Sequence, residues 1–199
     1  MAQEIELKLA LPVRQAPCLR QHPLLAGSQP VKRCIRNIYL DTPDQQLRQH
    51  RIALRRRQLG PTWLLTVKTS GNAEAGLSRR QEWEYPQSPD RLDFTPIDSA
   101  PLRTLLETLA PQLQLAFRTD FVRTAWAIRH DGAHIELALD QGYIRTRNRR
   151  APIHEVELEL LDGPESGLAS LATRLQQTLS LAPLTPSKAA RGFALLNGL

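Results

Sequence analysis

Cysteine, aromatic residues and long apolar runs are all scarce in this sequence, and each scarcity removes a class of function. Cys18 and Cys34 are the only cysteines and stand far apart, so no disulfide framework is expected and both read as free thiols, in keeping with a cytoplasmic setting. Neither has zinc-ligand spacing, and His22, His50, His130, His134 and His154 form no cluster, so each histidine reads as a surface or packing residue. Aromatic residues make up 5% of the chain, too few for stacking on bases to be the main activity. No apolar run approaches a membrane span, and the N-terminus enters a strand pattern at once, without the basic and apolar regions of a signal peptide. The stretch from Gly71 to Gly76 is no P-loop, because no Gly-Lys-Ser/Thr follows it, and no Ser, Cys or His motif for covalent catalysis is present.

Charge, by contrast, is plentiful. Lys and Arg number 26 against 20 Asp and Glu, a formal charge of +6, and the pI is about 9.9. Such a balance favours anionic partners without saying which: nucleic acid, membrane surface, polyphosphate and nucleotide all fit it. With 41% hydrophobic and 23% charged residues over 199 positions, the composition is that of a globular chain able to bury a core. No linker or low-complexity stretch divides it, so a single domain over 1–199 is expected.

The pattern predicts strands over Glu4 to Leu9, Cys34 to Leu40, Arg51 to Arg57, Trp63 to Lys68, Ser78 to Tyr85, Leu115 to Ile128, Ala133 to Leu139 and Pro152 to Leu161. Gly60-Pro61 and Asp131-Gly132 read as hairpin turns, Ser70 to Gly76 as a loop, and Gln141 to Arg150 as a basic turn region with a short strand. Within that region Arg145, Arg147, Arg149 and Arg150 read as an exposed basic run. Helices are expected over Pro12 to Ala26, interrupted by Pro17 and Pro23, over Pro101 to Leu109 behind a Ser99 N-cap, over Glu165 to Leu181, and after Ser187. Strands that mostly follow one another predict an antiparallel α+β fold.

Parity along the strands carries most of the functional information. Side chains alternate faces along a strand, so Glu4, Glu6 and Lys8 share one face and Ile5, Leu7 and Leu9 the other. Arg55 with Arg57, Thr66 with Lys68, Arg80 with Glu82 and Glu84, Glu136 with Asp140, and Glu155 with Glu157 and Glu159 repeat the division against aliphatic neighbours. The helices' leucine stripes should cover the aliphatic face, which leaves the charged face to meet solvent on an open sheet or to line a closed one. Glu155, Glu157 and Glu159 stand roughly 7 Å apart, so each adjacent pair repels by about 0.6 kcal/mol in water and several times that in a less polar setting. A row of that kind is favoured only under a cation, and paired arginines make the matching case for phosphate. On this reading neutralising Glu6 relieves repulsion and leaves stability unchanged or higher.

The Glu4-Ile5-Glu6-Leu7-Lys8 stretch resembles the N-terminal ExExK signature of the CYTH domains, also called triphosphate tunnel metalloenzymes. Eight further blocks follow in that family's order: Asn37 to Pro43, Leu54 to Arg57, Thr66 to Lys68, Arg80 to Glu84, Asp120 to Arg123, Ile135 to Gly142, Glu155 to Glu159, and Ser187 to Gly192. The likeness is greatest to the bacterial inorganic triphosphatases often fused to a C-terminal CHAD domain, so the chain is expected to be such a domain alone or one excised from a longer protein. The resemblance implies an eight-stranded antiparallel closed β-barrel, a tunnel, with helices packed outside.

It also implies roles. Lys8, Arg55, Arg57, Lys68, Arg80, Arg123, Lys188 and Arg191 would bind phosphate oxygens, and Glu4, Glu6, Glu155, Glu157 and Glu159 would hold Mg²⁺ or Mn²⁺. Glu82, Glu84, Glu136 and Asp140 would form a second acidic group that orients or deprotonates water, with Lys8 also catalytic. One position departs from the pattern: Phe121 stands where family members often carry a basic residue, with Arg118 or a neighbouring strand as possible replacement. The expected activity is metal-dependent hydrolysis of inorganic triphosphate to pyrophosphate and phosphate. Its alternatives are thiamine triphosphate, nucleoside triphosphate, ATP cyclisation, or a non-catalytic polyphosphate-binding module. Neither nucleic acid nor membrane is expected as a partner.

Overall fold

The computed structural model describes residues 2–69 and 71–198. Ten strands, β1 (Ala2–Ala10), β2 (Val31–Asp41), β3 (Ala53–Leu59), β4 (Thr62–Lys68), β5 (Asn72–Glu74), β6 (Leu77–Pro86), β7 (Gln114–His130), β8 (Ala133–Arg145), β9 (Arg150–Asp162) and β10 (Ala182–Pro183), form one antiparallel sheet. Its order is β10-β1-β9-β8-β7-β2-β3-β4-β6-β5, and β1 also pairs with β6. That last pairing, with Glu4 opposite Arg80 on one side while Glu6 lies opposite Glu159 on the other, closes eight strands into a barrel. β5 and β10 are short additions to its rims.

Turn chemistry sets the register. Asp131 and Gly132 both have positive φ, 46° and 78°, and join His130 to Ala133 in the two-residue turn that suits a twisted hairpin. Gly60, at φ 58°, joins Leu59 to Thr62 in the same way. Strand parity then puts Leu137, Leu139, Val156 and Leu158 on the outer wall, buried under Leu168, Leu171 and Leu175 of α4 (Ser166–Gln176). On the opposite side Leu54, Leu65, Val67 and Trp83 lie under Leu102, Leu106 and Leu109 of α3 (Ala100–Leu109). Each fully buried leucine contributes about 2 kcal/mol, so these two clusters hold the wall in place.

α1 (Ala16–Arg20) and α2 (Gln46–Gln49) are short. α5 (Lys188–Asn197) packs differently, because Phe193 meets the inward-facing Tyr39, Phe117, Phe121, Ile144 and Ile153 at one end of the barrel. Gly192 allows this approach: a Cβ there would stand 2.1 Å from Phe117 Cε2.

Several boundaries differ from the sequence reading. β8 continues through Arg145 and β9 starts at Arg150, so only 146–149 turn, because Gly142 to Arg145 keep pairing with both neighbours. The helix expected to reach Leu181 ends at Gln176, and Leu179 and Leu181 enter the core from the segment that follows. Within the expected 70–76 loop, Asn72–Glu74 pairs with β6, while Ser70 lies outside the described residues. Pro17 opens α1 rather than interrupting a helix. Arg51 sits at φ 57° before β3 rather than in it. Ser99 precedes α3, but its hydroxyl accepts no capping bond. Among the described residues no helix is long and apolar enough to cross a membrane.

Candidate active site

The charged parity faces point inward and line a cavity of about 770 Å³. Its walls carry Glu4, Glu6, Lys8, Arg55, Arg57, Lys68, Arg80, Glu82, Glu84, Arg123, Glu157, Glu159 and Lys188. Glu136, Asp140, Glu155 and Arg191 do not line it; they lie behind or beside it in the same charge network.

Three clusters organise these groups. Where β1 meets β6 and β4, Glu4 accepts hydrogen bonds from Lys68 Nζ at 2.7 Å and Arg80 Nε at 2.6 Å. Glu6 accepts from Lys8 Nζ at 2.5 Å and from Arg80, and Lys68 also reaches Glu82 at 3.0 Å. Burial raises the Glu4 carboxyl, but Lys68 and Arg80 outweigh it and hold Glu4 well below the usual carboxylate range. Neutralising Glu6 would therefore remove a partner of Lys8 and of Arg80, contrary to the repulsion reading, because basic side chains interleave the carboxylates.

The second cluster joins β2, β3 and β6. Arg57 Nη1 stands 3.2 Å from Glu84, Arg55 Nη2 3.6 Å from Glu84 and 3.8 Å from Glu82, and Thr66 Oγ1 donates to Glu84 at 2.6 Å. Arg57 Nε donates to Asn37 Oδ1 at 3.1 Å, and Arg55 Nη1 to the Tyr39 hydroxyl at 3.4 Å. Burial, with the charges of Arg55 and Arg123 nearby, pulls the Arg57 guanidinium down to about 10 against the attraction of Glu84. Burial opposes ionisation of Tyr39, yet Arg55, Arg57 and Lys188 together lower its pKa.

The third cluster binds α5 to β7, β8 and β9. Arg123 donates bidentately to Asp140, at 2.8 and 2.7 Å, and also to Glu157, with Glu136 at 3.7 Å. Lys188 Nζ stands 2.6 Å from Asp140, 2.5 Å from Glu155 and 2.8 Å from Glu157. Arg191 donates to Glu155 at 2.5 Å and to the Pro152 carbonyl. Burial would raise the Glu157 carboxyl, but Lys188, Arg123 and Lys8 hold it far below its ordinary value. Ser187 caps α5, its hydroxyl accepting the Ala190 N–H at 3.1 Å, as its place in the sequence suggested.

These clusters redistribute the expected groupings. Glu155 and Glu157 gather with Asp140 rather than with Glu4 and Glu6, and Glu82 and Glu84 stand apart from Glu136 and Asp140. The oxygens of Asp140, Glu155 and Glu157 lie within 4.8 Å of one another, as metal ligands would, with Lys188, Arg123 and Arg191 paired to them. Glu159 is the exception: among the described residues no basic group lies within ion-pair distance of it, and burial, then Glu4 and Glu6, push its carboxyl up to about 7. Of the cavity-lining carboxylates nearest it, Glu4 and Glu6 are both held by basic side chains. Phe121 is buried with its ring centroid 5.1 Å from Lys188 Nζ, so α5 supplies the charge that β7 lacks there, whereas Arg118 is exposed on the outer wall.

Tyr39, Arg48, Arg51 and Gln3 also line the cavity and were not singled out from sequence. Tyr39 shares its parity with Asn37, a signal present but masked by its apolar neighbours; Arg48 and Arg51 lie off any strand, where parity is silent.

A family model described as CYTH domain matches residues 2–193. The chain is similar to the inorganic triphosphatase of Haemophilus influenzae, 33% identical over 205 residues, covering 98% of this chain and 55% of that protein. It therefore spans about half the length of that relative. Among solved structures, a putative adenylyl cyclase from Hippeastrum, described as having a dominant triphosphatase activity, shares the fold at TM-score 0.70 and 21% identity, covering 98% of this chain and 95% of that one. A putative adenylate cyclase from Bacillus halodurans shares it at TM-score 0.60 and 20% identity, covering 97% and 100%. By its match over nearly the whole length, this chain belongs to the CYTH domain family.

Proposed function

We propose that the lumen hydrolyses inorganic triphosphate to pyrophosphate and phosphate with the help of Mg²⁺ or Mn²⁺. The supporting observation is the buried set of basic side chains facing one cavity, where Arg55 and Arg57 share Glu84 and Arg57 is pulled down to about 10. An anion entering the cavity adds a further partner for these guanidiniums, whose forks suit phosphate oxygens.

Binding then works as an exchange of partners. Phosphate oxygens take Arg55 and Arg57 from Glu84, and Lys68 and Arg80 from Glu4 and Glu82. The carboxylates so released at Glu4 and Glu6, with Glu159, are the hard oxygen donors that Mg²⁺ or Mn²⁺ prefers. Bound there, such an ion supplies Lewis-acid stabilisation of the phosphate oxygens. Lys8, held between Glu6 and Glu157, faces the cavity and neutralises charge developing on the leaving pyrophosphate. Glu82 and Glu84 face the same space and orient the attacking water. Asp140, Glu155 and Arg191, off the cavity, set the position of Lys188 and α5, and Glu136 does the same for Arg123.

Phosphate release from inorganic triphosphate, ATP and thiamine triphosphate, each with Mg²⁺, Mn²⁺ or EDTA, tests the reading. Turnover should be highest on inorganic triphosphate and absent in EDTA. Preference for either other substrate overturns the substrate assignment, and silence on all three overturns the enzyme.

A further inference from the structure

The barrel wall does not account for the chain's basicity. Of the 26 basic side chains, eight belong to the lumen network (Lys8, Arg55, Arg57, Lys68, Arg80, Arg123, Lys188, Arg191), and of the 20 acidic ones, nine do (Glu4, Glu6, Glu82, Glu84, Glu136, Asp140, Glu155, Glu157, Glu159). The lumen is nearly neutral by itself, and the remaining 18 basic against 11 acidic residues put the whole excess outside it.

That excess is concentrated. On the outer face of β2, β7, β8 and β9, near the end packed by α5, Arg36, Arg118, Arg145, Arg147, Arg149 and Arg150 are all exposed. The carboxylate on this face among the described residues is Asp120, 3.5 Å from Arg145 Nε. Arg118, Arg145 and Arg150 are direct cross-strand partners, one row across three strands. Like charges directly opposite one another destabilise a sheet, so this row costs folding free energy that a purely structural surface would avoid. The face also lacks a reader of bases: Tyr143 is its exposed aromatic, and its ring has Arg145 at 5.1 Å and Arg150 at 5.2 Å from the centroid. The row itself is made of strands β7, β8 and β9 and the 146–149 turn. What remains is a cross-strand array of guanidiniums, suited to phosphate oxygens on a chain with charge at every unit.

We infer that this outer face is a docking surface for long-chain inorganic polyphosphate, distinct from the lumen. Binding of labelled long-chain polyphosphate to the full chain, measured by anisotropy in EDTA, tests it. Affinity should fall at least about tenfold in the Arg118→Ala/Arg145→Ala/Arg150→Ala variant. It should survive saturating inorganic triphosphate, which fills the lumen, and triphosphate hydrolysis by the variant should match wild type. An unfolding midpoint no lower than wild type shows that the variant folds. The control Arg14→Ala/Arg91→Ala/Arg129→Ala, with the same change in net charge elsewhere on the surface, should bind as wild type does. Undiminished binding by the first variant, displacement by triphosphate, equal weakening by the control, or tighter binding of duplex DNA or single-stranded RNA each overturns the inference.

Discussion

Replacing Lys188 by methionine keeps most of the side chain's length but removes an ammonium standing 2.5–2.8 Å from three carboxylates. Asp140 and Glu155 are 0% exposed, so water cannot replace the lost partner. Breaking a buried pair by removing one member costs about 3–5 kcal/mol. Arg123 still holds Asp140 and Glu157, and Arg191 still holds Glu155, which places Lys188→Met near the lower end, about 3 kcal/mol. Urea unfolding near pH 7.5 measures it. The double variant Lys188→Met/Glu155→Gln should recover at least about 1 kcal/mol, because one of the three carboxylates left crowded together without the ammonium is gone. The pH dependence has a definite sign. Burial works against the Lys188 charge, but Asp140, Glu157 and Glu155 raise its pKa above the ordinary 10.5. Its contribution is therefore complete below that value and is lost only as pH rises through the folded one, so it is flat between pH 6 and 9. Glu157, held below its ordinary 4.5, contributes above that value and loses the contribution as pH falls. Acid sensitivity should thus be smaller in Lys188→Met, where Glu157 is less depressed. A loss under about 1 kcal/mol, or no recovery in the double variant, refutes the view that Lys188 neutralises this cluster.

Two further outcomes follow from the same geometry. Glu159, raised from 4.5 to about 7, binds more protons folded than unfolded between those values, so this group makes stability fall as pH rises through that window. Discounted for its partial exposure, the effect is roughly 2 kcal/mol; Glu159→Gln should be the more stable protein at pH 8, and parallel pH–stability curves for the two would contradict it. Gly192→Ala forces a methyl to 2.1 Å from Phe117 Cε2, so α5 must shift. Overpacking of that kind costs about 1–3 kcal/mol, a melting temperature lowered by roughly 2–12 °C, and an unchanged value would mean that α5 is loosely held.

Much of the barrel was legible because its two faces differ in kind. Ile5, Leu7 and Leu9 against Glu4, Glu6 and Lys8 fix which side of β1 meets the other strands' charges, and the same parity places Arg55, Lys68, Glu82 and Glu157 on the lumen. After β2, Asp41 accepts the N–H groups of Thr42, Leu47 and Arg48 and holds the turn that follows. Parity cannot say which charges meet. The pairing of Arg123 with Asp140 depends on cross-strand register, and the docking of Lys188 onto three carboxylates depends on where α5 folds back, more than 30 residues from Glu157 in sequence. For the same reason parity cannot show that Asp140 and Glu155 stand behind the cavity lining, against Lys188. Continuous pairing through 141–145 was hidden by a basic, glycine-containing stretch that locally resembles a turn.

The products of the reaction test the central proposal most directly. Phosphorus NMR of inorganic triphosphate incubated with the wild-type chain and Mg²⁺ should show pyrophosphate and orthophosphate appearing in equal amounts, with none formed in EDTA. An unchanged triphosphate spectrum, or turnover that persists in EDTA, would contradict it.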